Sequence, residues 1–477
     1  MAPDTALSRN EAAAASRATR TRLLLEAPIA PTLARLAAPN VLAMFVQSAQ
    51  SIAEAYYASL LGVSALAGLA LVFPLVMLTQ MLSAGAIGGA ISAAIARALG
   101  AADEGRAVRL TLAAWIIATC LALVMGLLVA VFGRAFFAML GGGGEAVAAA
   151  STYALVFFAG SLAIWLCNAS LSVIRGTGDM RTPSVLLLLV SALSILLSGG
   201  LALGWGPLPA WGMAGLALGP ILAFAIGAAL AIGYIIAGRT GLVFRGALAR
   251  PDGGMFRDIL RVGSLASVNT VLTTATIIMM TGLVSRFGEA ALAGYGLGAR
   301  LEFLMIPVIF GIGAAMTAMV GANIGAGQTA RALRVAWTGA GAAAMIVGSI
   351  GLLLALFPDL WLGLFLDPEN TAAREAGRSY FRLVAPFYSF FGLGLALYFA
   401  SQGAGRMLWP MISSLGRLCV ALAGALLLLR YTDLGLDGIF IAIGGAMCVY
   451  GLIIALAIWR GGWTSPPKPP VSPQNRL

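Results

Sequence analysis

The sequence predicts an all-α membrane protein of twelve transmembrane helices, arranged as two lobes of six helices each. Of its 477 residues, 60% are hydrophobic and only 10% are charged, a balance that soluble globular chains do not show. Twelve apolar runs of about 20 residues are long enough to cross a bilayer. An internal repeat then divides these runs into two sets of six.

The internal repeat rests on three short matches that occur in the same order in both halves. They pair residues 62–68 with 288–294 at an offset of 226, residues 99–107 with 324–332 at 225, and residues 176–183 with 403–410 at 227. Six spans return a chain to the same side of the membrane, so both halves enter the bilayer in one orientation. We therefore expect a pseudo-twofold axis along the membrane normal.

The predicted spans and the segments between them divide the chain into five parts. The spans are, to within several residues, 34–61, 65–96, 110–132, 148–174, 183–203, 213–237, 262–285, 290–322, 335–357, 379–401, 410–430 and 438–459. The parts are an N-terminal tail (1–31), a first lobe (32–238), a linker (239–261), a second lobe (262–459) and a proline-rich tail (460–477). Residues 1–31 lack the apolar core and cleavage site of a secretory signal.

The positive charges indicate how the chain is oriented in the membrane. The net charge is +11, and alternating the loops between the two sides places 21 Lys and Arg residues with the termini and 5 on the opposite side. The positive-inside rule then predicts cytoplasmic termini in the cell (inner) membrane. The positive net charge is thus explained by the orientation of the chain in the lipid bilayer, and we expect no nucleic-acid partner.

The residue inventory excludes several kinds of chemistry. The chain has no histidine, and its single lysine, Lys468, lies in the tail, so it contains no GxxxxGK[ST] loop for ATP hydrolysis. The four cysteines show no CxxC spacing. We therefore expect no metal, no cofactor and no enzyme activity, and we predict that an ion gradient of H+ or Na+ supplies the energy.

The first span carries a carboxylate, Glu54, at a position where lipid would disfavour it. Helical spacing places Gln47, Gln50 and Tyr57 on the same stripe. Charged side chains within a membrane helix normally face a bundle interior or a wet cavity. Two interpretations stay open: Glu54 is a reversible proton or cation site inside the first lobe, or it lies near enough to the helix end to reach the headgroups.

The seventh span carries a comparable polar stripe, made of Asn269, Thr273 and Thr276. The repeat offset of 226 makes Met280 the residue equivalent to Glu54, so the second half has no counterpart of this acid. We predict that the stripes of both spans line the substrate cavity. The alternative for the hydroxyls is packing, because Ser and Thr often bond back to their own helix or join neighbouring helices.

A second embedded acid, Glu302, follows Arg300 by two residues in the eighth span. Positions two apart on a helix point in nearly opposite directions, so these two side chains should not pair. Glu302 either shares the ion-coupling task or ties helices together. Arg382 and Arg417, near the ends of their spans, are expected to snorkel or to contact helix ends.

Prolines inside the predicted spans should kink their helices, because each removes a backbone hydrogen bond. The positions concerned are Pro39, Pro74, Pro307 and Pro386. Kinks of this kind suit moving parts, although simple packing explains them equally well.

The turn RGTGDMRTP and its echo in the second half resemble the multidrug and toxin extrusion (MATE) family. The matching turn residues are Arg175, Gly176, Gly178, Asp179 and Pro183 in the first half, and Gly403, Gly405 and Pro410 in the second. The glycine turn with a following arginine, residues 100–106, adds to the resemblance. So does the first span, where Pro39, Glu54 and the Leu61-Gly62 pair occupy the places of a family pattern.

The resemblance implies a secondary antiporter that exports amphipathic compounds in exchange for H+ or Na+. Alternating access of the two lobes would then use Glu54 as the coupling carboxylate, in a protein that we expect to be a monomer. The family's acid is usually Asp, and residues 379–401 contain no acid, which favours protons over Na+. Arg406 stands where the first turn has Asp179, so the two turns differ in charge. A lipid-linked oligosaccharide flippase is the alternative, and it should have a more cationic cavity.

Overall fold

The computed structural model describes residues 17–139, 144–244 and 250–463. Most of the predicted C-terminal tail, the first half of the predicted N-terminal tail and part of the linker lie outside these residues. Within them, the predicted tail 1–31 differs from expectation: residues 17–26 form a helix, and the first membrane helix already begins at Ile29.

Twelve membrane-spanning segments account for nearly all of the described chain. They are α1 (Ile29–Leu61), α2 (Val63–Gly100), α3 (Glu104–Met139), α4 (Gly144–Ala159 and Ser161–Gly176), α5 (Arg181–Leu203), α6 (Gly212–Ile236), α7 (Gly253–Val284), α8 (Glu289–Gly325), α9 (Thr329–Leu356), α10 (Thr371–Val384 and Tyr388–Ala404), α11 (Leu408–Tyr431) and α12 (Leu436–Trp459). The two pieces of α4 meet at an angle of 49°. The predicted twelve spans are confirmed.

The two halves of the chain form lobes in which corresponding helices have corresponding neighbours. In the first lobe α1 packs on α5, α5 on α6, and α2 on the first piece of α4. In the second lobe α7 packs on α11, α11 on α12, and α8 on the first piece of α10. The first and seventh spans therefore occupy equivalent positions, as the internal repeat predicts.

The prolines and a wide turn interrupt regular helix geometry. Pro39, Pro74 and Pro307 lie inside α1, α2 and α8, whereas Pro386 lies in the 3-10 turn Ala385–Phe387 between the two pieces of α10. Sequence reasoning missed the π-helical turn Met81–Ile87 in the middle of α2. In such a turn the regular hydrogen-bond ladder changes, and backbone carbonyls become available to other donors.

The lobes meet where α2 and α8 end, on the membrane face that also carries both described chain ends, here called the termini face. A side chain on Gly100 would overlap the carbonyl of Ala322, and one on Gly325 would overlap the carbonyl of Arg97. The pseudo-twofold axis relates these two contacts. Backbone therefore touches backbone across the axis, which only glycine allows at these positions.

An ion pair network reinforces this contact between the lobes. Asp258, in the first turns of α7, lies 3.0 Å from Arg97 of α2 and 3.0 Å from Arg106 of α3. Arg97 also donates a hydrogen bond of 3.0 Å to the carbonyl of Gly403 in α10. One carboxylate of the second lobe thus binds two arginines of the first.

The N-terminal helix, residues 17–26, also bridges the lobes. Arg20 pairs with Asp179 of the first lobe at 3.4 Å, and Leu24 is buried. Asn323 of α8 donates a 3.1 Å hydrogen bond to the Leu24 carbonyl. The helix therefore lies across the termini face and contacts both lobes there.

We predict that Asp258→Asn loosens the termini face. Arg97 and Arg106 would lose a charged acceptor, and a hydrogen bond to a charged group is worth about 1.5–3 kcal/mol, so the lobes should separate there roughly tenfold more often. Spin labels at Gly105 and Ala330, in a background without the native cysteines, would report a longer and broader distance distribution.

Glu289→Gln provides the matched control for Asp258→Asn. Glu289 is an exposed acid at the start of α8, on the face opposite the termini. The same label pair should give the wild-type distance in that variant. An unchanged distance in Asp258→Asn would show that the ion pairs do not hold the lobes together.

Candidate functional site

Glu54 lies on α1 in a polar pocket of the first lobe. The Gln50 amide nitrogen donates a 3.1 Å hydrogen bond to the Glu54 carboxylate, and Gln50 is buried. The Gln50 amide oxygen is buried and has no hydrogen-bond partner among the described residues, and neither has the hydroxyl of Tyr153 in α4. Gln50, which contacts Glu54 within the first lobe, thus still has an unused acceptor.

The rest of the first-span stripe follows the same side of α1. Tyr57 is buried and packs edge-on against Trp205, with ring centroids 5.7 Å apart. Trp205 lies in the connection between α5 and α6, so this contact also stays within the first lobe. Gln47 is half-buried. The predicted substrate-cavity role of these residues remains a prediction.

The polar stripe of the seventh span makes mostly packing contacts. Ser414 of α11 donates a hydrogen bond to the Asn269 amide oxygen, and both residues are buried. The Thr276 hydroxyl donates to the Leu272 carbonyl of its own helix at 2.8 Å. Thr273 is half-buried. These contacts favour the packing alternative for Asn269 and Thr276.

Glu302 lies in a pocket of tyrosines in the second lobe. Tyr380 of α10 is buried and donates a hydrogen bond to the Glu302 carboxylate. Arg300 is exposed, so the two neighbouring charges do not pair, as helical geometry predicts. Glu302 therefore connects α8 with α10 through an acid–phenol contact.

The expectation that Arg417 snorkels or contacts a helix end is wrong. Arg417 is only 7% exposed, and its guanidinium lies 5.5 Å from the ring centre of Phe391 and 5.6 Å from that of Tyr450. These rings come from α10 and α12, and the cation is stabilised over their faces. No local sequence pattern could bring three separate helices together in this way.

The family turns anchor the ends of α4 and α10. Asp179 accepts hydrogen bonds from the Thr182 amide (3.1 Å), the Thr182 hydroxyl (2.7 Å) and the Tyr234 hydroxyl (3.1 Å). Gly178 and Gly405 adopt positive φ angles of 83° and 72°. Pro183 and Pro410 lie in the first turns of α5 and α11.

Gly176 and Gly403 of these turns each allow a neighbouring helix to pack closely, at equivalent positions of the two lobes. A side chain on Gly176 would come within 2.8 Å of the Ser92 carbonyl in α2. One on Gly403 would come within 2.7 Å of the Thr317 carbonyl in α8. The motif glycines thus let α4 lie against α2 and α10 against α8. Arg175, which precedes Gly176, is buried between the lobes.

The described residues contain no group of three or more His, Cys, Asp or Glu side chains that could hold a metal ion. Each lobe instead has a half-buried acid within a span, Glu54 or Glu302, and arginines such as Arg97 and Arg175 lie near the lobe interface. Two pseudo-symmetric lobes of six helices with such residues are the architecture of a polytopic membrane transporter.

Comparison with known proteins identifies the family. The MatE family model matches residues 39–199 and 266–427, once in each lobe. The "Probable multidrug resistance protein NorM" of Thermotoga maritima is 27% identical over 322 residues, 67% of this chain and 68% of that protein. The "FAD transporter" of Shewanella oneidensis is 24% identical over 427 residues, 88% of this chain and 92% of that protein.

A solved structure of a MOP superfamily transporter from Pyrococcus furiosus has the same fold. It superimposes with a TM-score of 0.84 at 25% identity and covers 93% of this chain and 98% of that one. The chain therefore belongs to the multidrug and toxin extrusion (MATE) family. It is a multidrug efflux transporter and not an enzyme.

Proposed function

We propose that this transporter is a proton-coupled antiporter of amphipathic compounds, with Glu54 as its coupling carboxylate. It would work as a monomer in the cell (inner) membrane, with cytoplasmic termini and without ATP or a cofactor. The observation that carries the proposal is the set of polar groups around Glu54. An ionised Glu54 accepts a 3.1 Å hydrogen bond from the Gln50 amide nitrogen. A protonated Glu54 finds the unpartnered Gln50 oxygen as an acceptor.

This environment suits a proton better than a metal cation. The Gln50 amide can serve both protonation states of Glu54, with its nitrogen as donor to the carboxylate and its oxygen as acceptor from the protonated acid, so rotation of that amide can exchange one state for the other. A hard cation such as Na+ needs a shell of several oxygens. Glu302, with Tyr380 as its donor, is the second coupling candidate, in the other lobe.

In this proposal the conformation described here is the outward-facing one. The lobes are closed at the termini face by the glycine contacts and by Asp258. If that face is cytoplasmic, a proton arriving from outside reaches Glu54 in this state. Protonation would then favour opening of the termini face, because a ligand shifts a conformational equilibrium only through its differential affinity for the two states.

Export of an anionic amphiphile is a second candidate, favoured by Arg300. Its exposed side chain lies eleven residues into α8, about 16 Å along the helix axis. A charge at that depth normally faces a wet cavity rather than lipid. An anionic substrate would be attracted to such a cleft, and one relative that matches 88% of the chain is named an FAD transporter.

Purified transporter in liposomes distinguishes these possibilities. A pH gradient and a Na+ gradient would be imposed separately, with ethidium as the cationic probe, FAD as the anionic probe and a fluorescent lipid-linked oligosaccharide for the flippase alternative. We expect ethidium transport driven by the pH gradient and unaffected by Na+. Transport that needs Na+ would overturn proton coupling, and transport of FAD alone would select the second candidate.

A further inference from the structure

A small cavity lies between the lobes, near the termini face, where α2, α4, α8 and α10 converge. Its polar lining comes from Ser92, Ser172 and Arg175 of the first lobe and from Thr317 and Gln402 of the second. Glycines of α2, among them Gly88 and Gly89, form another wall. The space is partly open and has room for about one water-sized occupant.

Arg175 brings an uncompensated charge to this cavity. It is only 5% exposed, and its guanidinium forms no ion pair or hydrogen bond with the described residues; the Nε atom is buried without a partner. Asp179, the nearest acid along the chain, already binds Thr182, Tyr234 and Arg20. A buried guanidinium stays protonated and costs several kcal/mol unless a counter-charge compensates it.

The other walls offer hydrogen bonds but no negative side chain. The Ser92 hydroxyl is buried and has no partner among the described residues. The hydroxyls of Ser172 and Thr317 already donate to backbone carbonyls. The cavity thus combines one cation, one free hydroxyl donor and no carboxylate, which favours an anion.

Gln402 occupies the position in the second lobe that is equivalent to Arg175. Its amide nitrogen donates to the carbonyls of Gly85 and Ala86, in the π-helical turn of α2, at 3.2 and 3.1 Å. Its oxygen is buried without a partner and lines the cavity. The pseudo-twofold axis therefore places a cation and a neutral amide on opposite sides of one cavity, so only the first lobe supplies charge.

We propose that this cavity is a binding site for a small monovalent anion of the halide class, held by Arg175 and Ser92. Chloride matches the donors of the cavity, which has room for about one small ion. A carboxylate or a phosphate group is larger than the water-sized space beside Arg175. Because the walls come from both lobes, the anion binds the state that is closed at the termini face and stabilises it, whichever ion drives transport.

Thermal unfolding of the purified full-length protein tests the site directly. Chloride, bromide, acetate, phosphate or gluconate would be titrated at constant sodium concentration and ionic strength. We expect a saturable rise in Tm with chloride and bromide and none with gluconate. Arg175→Gln should abolish the rise. Ser92→Ala should raise the half-saturating chloride concentration about tenfold, because one hydrogen bond to a charged group is lost.

The variants control for charge and for folding. Arg181→Gln removes an exposed arginine six residues further along and should keep the wild-type chloride response. Gln is the residue at the equivalent position of the second lobe, so Arg175→Gln should be tolerated, and Arg175→Lys, which keeps the charge, should retain part of the response. The proposal would be overturned if the wild type showed no response, an equal rise with gluconate, or a response to phosphate or acetate alone. An undiminished chloride response in Arg175→Gln would overturn it as well.

Discussion

Glu54→Gln should strongly reduce substrate export driven by a pH gradient while leaving the transporter folded in the membrane. Gln keeps the size of the side chain and can still accept from Gln50, but it cannot bind and release a proton. A gradient drives transport only if the lobe arrangements differ in their affinity for the coupling ion. Loss of a coupling of about 1–3 kcal/mol should reduce gradient-driven export roughly 5- to 150-fold.

The measurement is substrate-induced proton release in vesicles of opposite pH gradient, at matched protein level. Glu54→Asp keeps the charge and should retain part of the activity. Glu302→Gln should have a smaller effect if Glu302 only joins α8 to α10, and a comparable one if the two acids share the task. Undiminished exchange by Glu54→Gln would leave Glu54 as an interfacial residue and end the proposed mechanism.

Gly325→Ala should block the transport cycle by preventing closure of the termini face. The added methyl group would overlap the carbonyl of Arg97, and neither backbone can move aside by a rotamer change. Overpacking of this kind costs about 1–3 kcal/mol, enough to shift the closed population roughly 5- to 150-fold. Efflux should fall by the same factor, roughly 5- to 150-fold, while the protein level in the membrane stays normal. The label pair at Gly105 and Ala330 should report separated lobes.

Gly296→Ala is the matched control, because it places the same substitution in the same helix. A methyl group there would meet no atom within 4 Å, and alanine favours a helix over glycine by up to about 1 kcal/mol. This variant should transport normally. Gly100→Ala, the equivalent change in α2, should reproduce the defect of Gly325→Ala. Normal efflux by both interface variants would show that the cycle does not require the close contact.

The architecture could be predicted from the sequence because the bilayer imposes a simple rule on composition. Each span must be apolar over about 20 residues, so the spans and the repeat are visible without any knowledge of packing. The position of Glu54 beside Gln50 also follows from helical spacing alone. Interactions between distant segments could not be predicted in this way.

Three residues illustrate what the sequence leaves hidden. Asp258 lies in the segment predicted to be the linker between the lobes, yet it pairs with two arginines more than 150 positions away. Leu24 lies in the segment predicted to be a tail, but its side chain is buried against Gly178 of the first lobe. Arg417 is expected near a helix end, but in the structure its guanidinium lies over aromatic rings of α10 and α12. Each contact depends on the tertiary arrangement, which local patterns do not encode.

The wide turn at Met81–Ile87 accompanies a one-residue difference in length between corresponding helices of the two lobes. The helix α2 has 38 residues, and its counterpart α8 has 37. Both helices begin after a glycine of positive φ, Gly62 or Gly288, and both end at the glycine that touches the opposite lobe. A π-helical turn accommodates one extra residue within a helix of otherwise unchanged length. A single inserted codon after gene duplication would explain both the turn and the fall of the repeat offset from 226 to 225. The extra residue also leaves the Gly85 and Ala86 carbonyls free to accept from Gln402.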